Sequence, residues 1–106
     1  MTALANIPPV HPADYLREMI LPDDLSVSEV AKRLGVSRQS VDAVLNKRRG
    51  VSPEMAKRLE LTFGGPAYVL LAFQRDWDLA QLESRTDELA EQVTPFEWPD
   101  RENAAE

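Results

Sequence analysis

The middle of the chain carries two short amphipathic segments separated by a glycine. Their apolar residues recur three and four positions apart, which places them on one face of a helix. Gly35 lies between the segments, and glycine can take the left-handed backbone conformation that closes a helix. The pattern predicts two helices joined by a short turn with Val36 inside it. The apolar faces are Val30, Ala31 and Leu34, then Val41, Val44 and Leu45.

Serine residues mark where these two helices begin. Ser26 and Glu29 form a capping-box pair, in which the hydroxyl accepts the backbone N–H of Glu29 and the carboxylate reaches back. Ser37 is placed to cap the second helix. Ala31 is small enough for the two helices to cross closely. Two capped helices around a tight glycine turn predict a helix-turn-helix.

Two more helices are predicted, one on each side of this unit. Proline suits the first helical turn, and Pro12 and Pro53 both occupy such starts, with Ser52 as the cap of the second. Pro22 ends the first of these helices, and Gly64-Gly65 ends the second. The predicted apolar faces are Tyr15, Leu16, Met19 and Ile20, then Met55, Ala56, Leu59 and Phe63.

A fifth helix is predicted from Pro66 to about Leu82, which makes the fold all-α with about five helices. Residues 68 to 73 are consecutively apolar or aromatic, so this helix is expected to be buried on more than one side. Either residues 84 to 106 cover the second side or a second copy of the chain does. Helix-turn-helix proteins typically read paired half-sites about 34 to 36 Å apart, which favours the homodimer. The predicted interface residues are Val69, Leu70, Phe73 and Trp77.

Polar and basic residues remain on the outer face of the second helix of the helix-turn-helix. That helix enters the major groove, and its first residues meet base edges. Gln39 can pair with adenine, and Arg38 with guanine or a phosphate. The run Lys47-Arg48-Arg49 suits phosphates, which fix the register on DNA. The predicted DNA-binding residues are Ser37, Arg38, Gln39, Ser40, Asp42, Asn46, Lys47, Arg48 and Arg49.

The charge distribution supports this interpretation, although the whole chain is acidic with a net charge of −6. Residues 32 to 58 hold eight basic and two acidic residues, or +6, whereas residues 1 to 31 sum to −4 and residues 59 to 106 to −8. Positive charge concentrated on one segment is the electrostatic footprint of a phosphate-binding face.

Other functions find little support in the sequence. There is no cysteine, which excludes disulfides and thiolate metal sites and fits a cytoplasmic protein. No apolar run approaches 18 residues and no leader pattern is present, so no membrane association is expected. His11, the single histidine, is expected to cap or flank a helix start. We therefore expect no catalytic site, no metal and no cofactor.

The two ends of the chain differ from the domain at residues 11 to 83. Residues 1 to 10 contain Pro8-Pro9 and predict a flexible arm. Residues 84 to 106 form an acidic extension that is either a solvating tail or a segment that binds a basic partner protein. Its aromatic residues have the further alternative of folding back onto the core. The predicted partner-binding residues are Leu89, Val93, Phe96 and Trp98.

Residues 11 to 82 resemble the HigA antitoxins of the Xre/Cro-like helix-turn-helix superfamily. The resemblance rests on HPADYLREMIL, on LSVSEVAKRLGVSRQSVDAVLNKRRGVSPEMAKRLELTFGG and on FQRDWDL. It implies a lambda-repressor-like fold and a homodimeric antitoxin that neutralises a RelE/HigB-like mRNA-cleaving toxin and represses its own operon at a palindromic site. Ser37 to Ser40 match the family's DNA-reading helix start, and Asn46 to Arg48 match its phosphate-contacting end.

Three functions stay open at this point. The chain is an autorepressing antitoxin, a stand-alone Xre-type transcriptional regulator without a toxin partner, or an interaction module that does not bind DNA. A steep loss of DNA affinity with salt separates the first two from the third.

Overall fold

The computed structural model describes residues 9–100, which form six α-helices and no strand. The all-α prediction is confirmed, and the sixth helix lies in the acidic extension, where the sequence pattern predicts none. The helices are α1 (Pro12–Tyr15, continued by the π-helical turn Leu16–Ile20), α2 (Val27–Leu34), α3 (Arg38–Leu45), α4 (Pro53–Phe63), α5 (Ala67–Glu83) and α6 (Thr86–Gln92).

The core forms where the first five helices meet. Every apolar residue predicted to face inward from α2 and α3 is buried there, together with Ala56 and Leu59 of α4. Leu16 and Leu70 are the largest aliphatic side chains that are almost completely buried. Burying a leucine side chain contributes about 1.5–3 kcal/mol, so these two residues fasten α1 and α5 to the helix-turn-helix.

The caps and the turn of the helix-turn-helix follow the sequence prediction. The hydroxyls of Ser26 and Ser37 each accept the backbone N–H three residues on, at 3.1 Å. Gly35 ends α2 with a φ of 72°, in the left-handed region. The capping box forms only in part, because the Glu29 carboxylate pairs with Arg33 one turn later, at 3.3 Å.

The first helix differs from its prediction. After Tyr15 the hydrogen bonds close over five residues, as in the 2.8 Å bond from Leu21 N–H to the carbonyl of Leu16. Because this turn is wider than an α-helical turn, the residue four positions after Leu16 lies on the same face of the helix as Leu16. The residue three positions after Leu16 points away from that face. Ile20 accordingly packs against the core, whereas Met19 is 70% exposed. The prediction that Met19 belongs to the buried face is wrong.

Of the predicted dimer residues of α5, only Leu70 lies in the chain's own core, and the other three are partly buried. Leu70 is completely buried within one chain, so its burial assigns it to that core and corrects its placement on a surface open to a second copy. The rings of Phe73 and Trp77 pack against α1 and its cap, and Val69 is half-buried. The exposed apolar side chains of α5 are Tyr68, Leu79 and Leu82.

The acidic extension projects from the domain, and the molecule measures 57 × 30 × 23 Å. Leu89 on α6 is half-buried, whereas Val93 is exposed. Phe96 and Trp98 are 69% and 57% exposed and contact each other edge to face, with ring centroids 4.6 Å apart. The alternative that these two aromatic residues fold back onto the core is therefore wrong.

Two predictions reach beyond the described part of the chain. The arm at residues 1 to 10 lies outside it except for its last two residues, and so do the last six residues of the acidic extension. Among residues 9–100, no helix combines the length and apolar character needed to cross a membrane.

Candidate nucleic-acid interface

The first turn of α3 presents its side chains to solvent. Arg38 and Gln39 are exposed, and Ser40 is half-buried beside them. The Ser37 hydroxyl caps the helix and also lies 2.8 Å from the Ser40 hydroxyl, which orders the serine pair. A guanidinium and a carboxamide thus project from the start of a short helix whose opposite face is anchored in the core.

The loop after α3 holds the basic run against the end of the helix. The backbone N–H groups of Arg48 and Arg49 both donate to the carbonyl of Ala43, at 2.8 and 3.1 Å. Lys47 adopts a φ of 63°, an uncommon left-handed conformation for a residue with a Cβ. Asn46 and the three cations are all exposed. The fold therefore brings the two predicted groups of DNA-binding residues together on α3 and its C-terminal loop.

Two of these cations are already paired within the chain. Lys47 Nζ lies 3.2 Å from Asp14 of α1, and Arg48 Nη2 lies 2.6 Å from Asp42 of α3. The bond from Arg48 is the main reason that the pKa of Asp42 lies below its usual value. Among the described residues, Arg38 and Arg49 have no ion-pair partner.

Two arginine side chains bind the C-terminal ends of α2 and α3. Arg58 of α4 donates to the carbonyl of Leu34 at 2.9 Å, and Arg17 donates to the carbonyl of Leu45 at 3.1 Å. The last carbonyls of a helix lack intrahelical partners and carry partial negative charge, which a guanidinium satisfies. The sequence reasoning missed these contacts, because they join residues 24 and 28 positions apart.

A glutamine of α5 fixes the far end of the loop. Gln74 Oε1 accepts the backbone N–H of Val51 at 2.7 Å. A Cβ on Gly50 would lie 3.0 Å from the same side-chain amide, so the absence of a side chain allows the loop to approach α5. Gln74 is a second residue that sequence reasoning missed, since nothing local marks a contact over 23 positions.

His11 is a structural cap, as its position predicts. Its Nδ1 accepts the backbone N–H of Ala13 at 2.9 Å, and its ring meets Trp77 edge to face at 4.9 Å. Burial, with a further contribution from nearby Lys47, lowers the pKa of this imidazole below 6.5. Within residues 9–100, no cluster of three or more His, Cys, Asp or Glu side chains is arranged to hold a metal ion.

Comparison with known proteins places this geometry in a family. A family model described as Helix-turn-helix matches residues 16–70, just over half of the chain. The uncharacterized HTH-type transcriptional regulator YbaQ of Escherichia coli is 39% identical over 83 residues, which is 76% of this chain and 74% of that protein.

Two solved antitoxin structures share the fold. Antitoxin GraA in complex with its operator matches with a TM-score of 0.73 and 31% identity, covering 87% of this chain and 95% of that one. Pseudomonas aeruginosa antitoxin HigA with the higBA promoter matches with a TM-score of 0.72 and 28% identity, covering 85% and 100%. This chain belongs to the helix-turn-helix family, and its resemblance to the HigA-type, Xre-like members is confirmed.

Proposed function

We propose that this protein is a cytoplasmic, homodimeric antitoxin that binds a palindromic operator, represses its own operon and neutralises a RelE/HigB-like mRNA-cleaving toxin. The observation that carries the proposal is the outer surface of α3 and its loop, where amide and guanidinium donors at the helix start adjoin consecutive cations at its end. Donors of the first kind read base edges in the major groove, and cations of the second kind bind phosphates.

The DNA-binding part is tested by separating readout from positioning. Gln39→Ala is expected to relax the preference at one base pair, at a cost of about 1–3 kcal/mol in discrimination. Arg48→Ala is expected to weaken matched and mismatched duplexes alike, because phosphates are the same in both. Fluorescence anisotropy with a duplex selected from a randomised pool measures both effects. If the two variants behave identically on matched and mismatched duplexes, the assignment of roles is wrong.

The homodimer follows from the way a short recognition helix gains specificity. One helix contacts only a few base pairs, and two copies related by a two-fold axis read two half-sites. Exposed Tyr68, Leu79 and Leu82 on α5 give a second copy apolar surface to cover, alongside the partly buried Val69, Phe73 and Trp77. Light scattering at micromolar concentration is expected to give twice the chain mass of 11.9 kDa, and a monomer mass would refute the dimer.

The toxin-binding part rests on the acidic extension. Phe96 and Trp98 form an exposed aromatic pair that offers the buried anchors typical of protein interfaces. Leu89 and Val93 precede this pair. The same segment of the chain is rich in carboxylates, including Asp87, Glu88, Glu91 and Glu97. An enzyme that binds mRNA presents a basic surface, which such a segment complements.

Truncation tests that assignment. A chain ending at residue 83 is expected to lose binding to the purified product of the neighbouring reading frame and to keep its affinity for the selected duplex. Phe96→Ala with Trp98→Ala is the finer variant, since it keeps every charge. Unchanged partner affinity in both variants would refute the assignment to the extension.

The second candidate is a stand-alone transcriptional regulator, which the similarity to the HTH-type transcriptional regulator YbaQ favours. This candidate predicts operator binding without a toxin encoded alongside. Co-expression of the neighbouring reading frame distinguishes the two, because only an antitoxin relieves the growth arrest that a toxin causes.

A further inference from the structure

We propose that Asp42 is a specificity-determining residue of the α3 surface, which positions Asn46 and Arg48 and at the same time lowers affinity for DNA that lacks the operator sequence. This inference rests on the DNA binding proposed above. It assigns a role to an acidic side chain in a place where phosphate affinity alone would favour a neutral or basic one.

The geometry shows one carboxylate holding two interface side chains. Asp42 Oδ2 accepts a hydrogen bond from Arg48 Nη2 at 2.6 Å, and its Oδ1 accepts one from Asn46 Nδ2 at 3.0 Å. Asn46 Nδ2 also donates to the backbone carbonyl of Asp42, again at 3.0 Å. The Asp42 side chain is 32% exposed, so it forms part of the surface itself. Both partners are therefore ordered before DNA arrives.

The charge of Asp42 acts differently on operator and non-operator DNA. Binding without sequence recognition derives almost entirely from cations that neutralise phosphates. Asp42 partly neutralises Arg48 within the chain, so Arg48 contributes less to that binding than an unpaired arginine would. Arg38, one turn earlier on α3, also lies close enough to lower the pKa of Asp42, so the carboxylate stays ionised at neutral pH.

Operator DNA gains from the same contacts. Side chains that are already held in one geometry lose less conformational freedom when they bind. Asn46, which Asp42 holds through two hydrogen bonds, is therefore expected to favour the operator complex, in which every contact of α3 is made at once. Both effects of Asp42 raise the ratio of operator affinity to non-operator affinity.

The test is Asp42→Asn, a substitution of nearly equal size that removes the charge. Affinities are measured for a duplex selected from a randomised pool and for a scrambled duplex of the same length, over a range of salt. We expect the scrambled duplex to bind about 3- to 10-fold more tightly, the selected duplex to gain much less, and the salt slope on the scrambled duplex to steepen by about 0.9, as for one additional neutralised phosphate. Asp42→Ser is likewise expected to lower the ratio of the affinity for the selected duplex to the affinity for the scrambled duplex.

Two further variants serve as controls. Glu18→Gln makes the same change in net charge, but on α1 and at a side chain that has no ion pair among the described residues. It is expected to change the affinities for the two duplexes by the same factor. In an Arg48→Ala background, Asp42→Asn is expected to leave the slope unchanged, because no guanidinium is released.

The outcomes separate this inference from the function on which it rests. A ratio that changes no more in Asp42→Asn than in Glu18→Gln overturns the role of Asp42 and leaves DNA binding intact. If selection recovers no duplex and the unmodified protein binds none, the proposed DNA binding is wrong and this inference falls with it.

Discussion

At the scale of single residues, His11 shows how one side chain joins several parts of the fold. It caps α1 through Nδ1, packs against Trp77 of α5 and lies near Lys47 in the loop that follows α3. Lys47 in turn pairs with Asp14 of α1. A neutral imidazole serves all of these contacts, because a protonated Nδ1 cannot accept the backbone N–H of Ala13.

Protonation of His11 is therefore expected to destabilise the fold. Burial and Lys47 lower its pKa in the folded chain, and the carboxylates of Asp14 and Asp78 raise it by less. The unfolded chain then binds the proton more readily, so the free energy of unfolding decreases as the pH falls below about 6.5.

His11→Asn tests this pH dependence. Asparagine is a preferred N-cap and does not titrate, so the cap is kept while the proton site is removed. Urea denaturation between pH ~7 and ~5.5, above the range where most carboxylates titrate, is expected to show a smaller loss of stability in the variant. Equal losses in both proteins would contradict the role given to His11.

At the scale of elements, the joint between α2 and α3 depends on the turn at Gly35, beside which Arg58 of α4 binds the end of α2. A Cβ on Gly35 would lie 3.2 Å from Arg58 Nη1, the atom that donates to the end of α2. Gly64 has a similar left-handed φ of 89° with nothing within 4 Å of a Cβ. The two glycines thus differ only in their surroundings.

Gly35→Ala and Gly64→Ala form a matched pair. Each is expected to lower the free energy of unfolding by about 1–2 kcal/mol, the cost of a left-handed alanine. Gly35→Ala is expected to lower the free energy of unfolding more than Gly64→Ala does, because its Cβ displaces Arg58. Only Gly35→Ala is expected to weaken DNA binding, because it alters the joint between α2 and α3. Urea denaturation and anisotropy measure the two effects. A larger loss in Gly64→Ala would contradict this account of the turn.

The sequence predicts what depends on neighbours along the chain. The serine caps, the left-handed Gly35 and the inward faces of α2 and α3 each follow from residues within one or two turns. The contacts of Arg17, Arg58 and Gln74 could not be predicted in this way, because each reaches a backbone group more than twenty positions away. The π-helical turn after Tyr15 likewise has no local signal that distinguishes it from an α-helix.

The exposure of the aromatic residues is equally hard to predict from the sequence. Trp77 and Phe73 are residues that suit a core and an interface alike, and the position of α1 decides that their rings contact His11 and Tyr15 and are partly covered. Phe96 and Trp98 look similar in sequence and remain exposed. The two pairs differ in their tertiary packing, which cannot be inferred from the amino-acid composition.

At the scale of the whole molecule, the distribution of charge matters more than its sum. The +6 of residues 32 to 58 belongs to the region that contains α3 and its loop, within a chain of net −6. The acidic remainder opposes unspecific attachment to DNA, so affinity is expected to depend on the few cations that reach phosphates.

Salt titration tests this expectation. The logarithm of the binding constant is expected to fall linearly with the logarithm of the salt concentration, with about 0.9 of slope for each phosphate neutralised. Arg49→Ala should reduce the slope by about that amount. Arg75→Ala on α5 is the control, because this arginine pairs with Asp76 outside the α3 surface. A reduction of the same size in the control would contradict the placement of the interface.

The central claim is that α3 and the loop that follows it form the surface that binds DNA. Amide chemical shifts of the ¹⁵N-labelled protein, recorded while a selected duplex is added, test this claim most directly. We expect the largest changes at residues 37 to 49, with α6 and the segment after it nearly unaffected. Changes concentrated on α6 or on the far side of α4, with residues 37 to 49 unmoved, would contradict it.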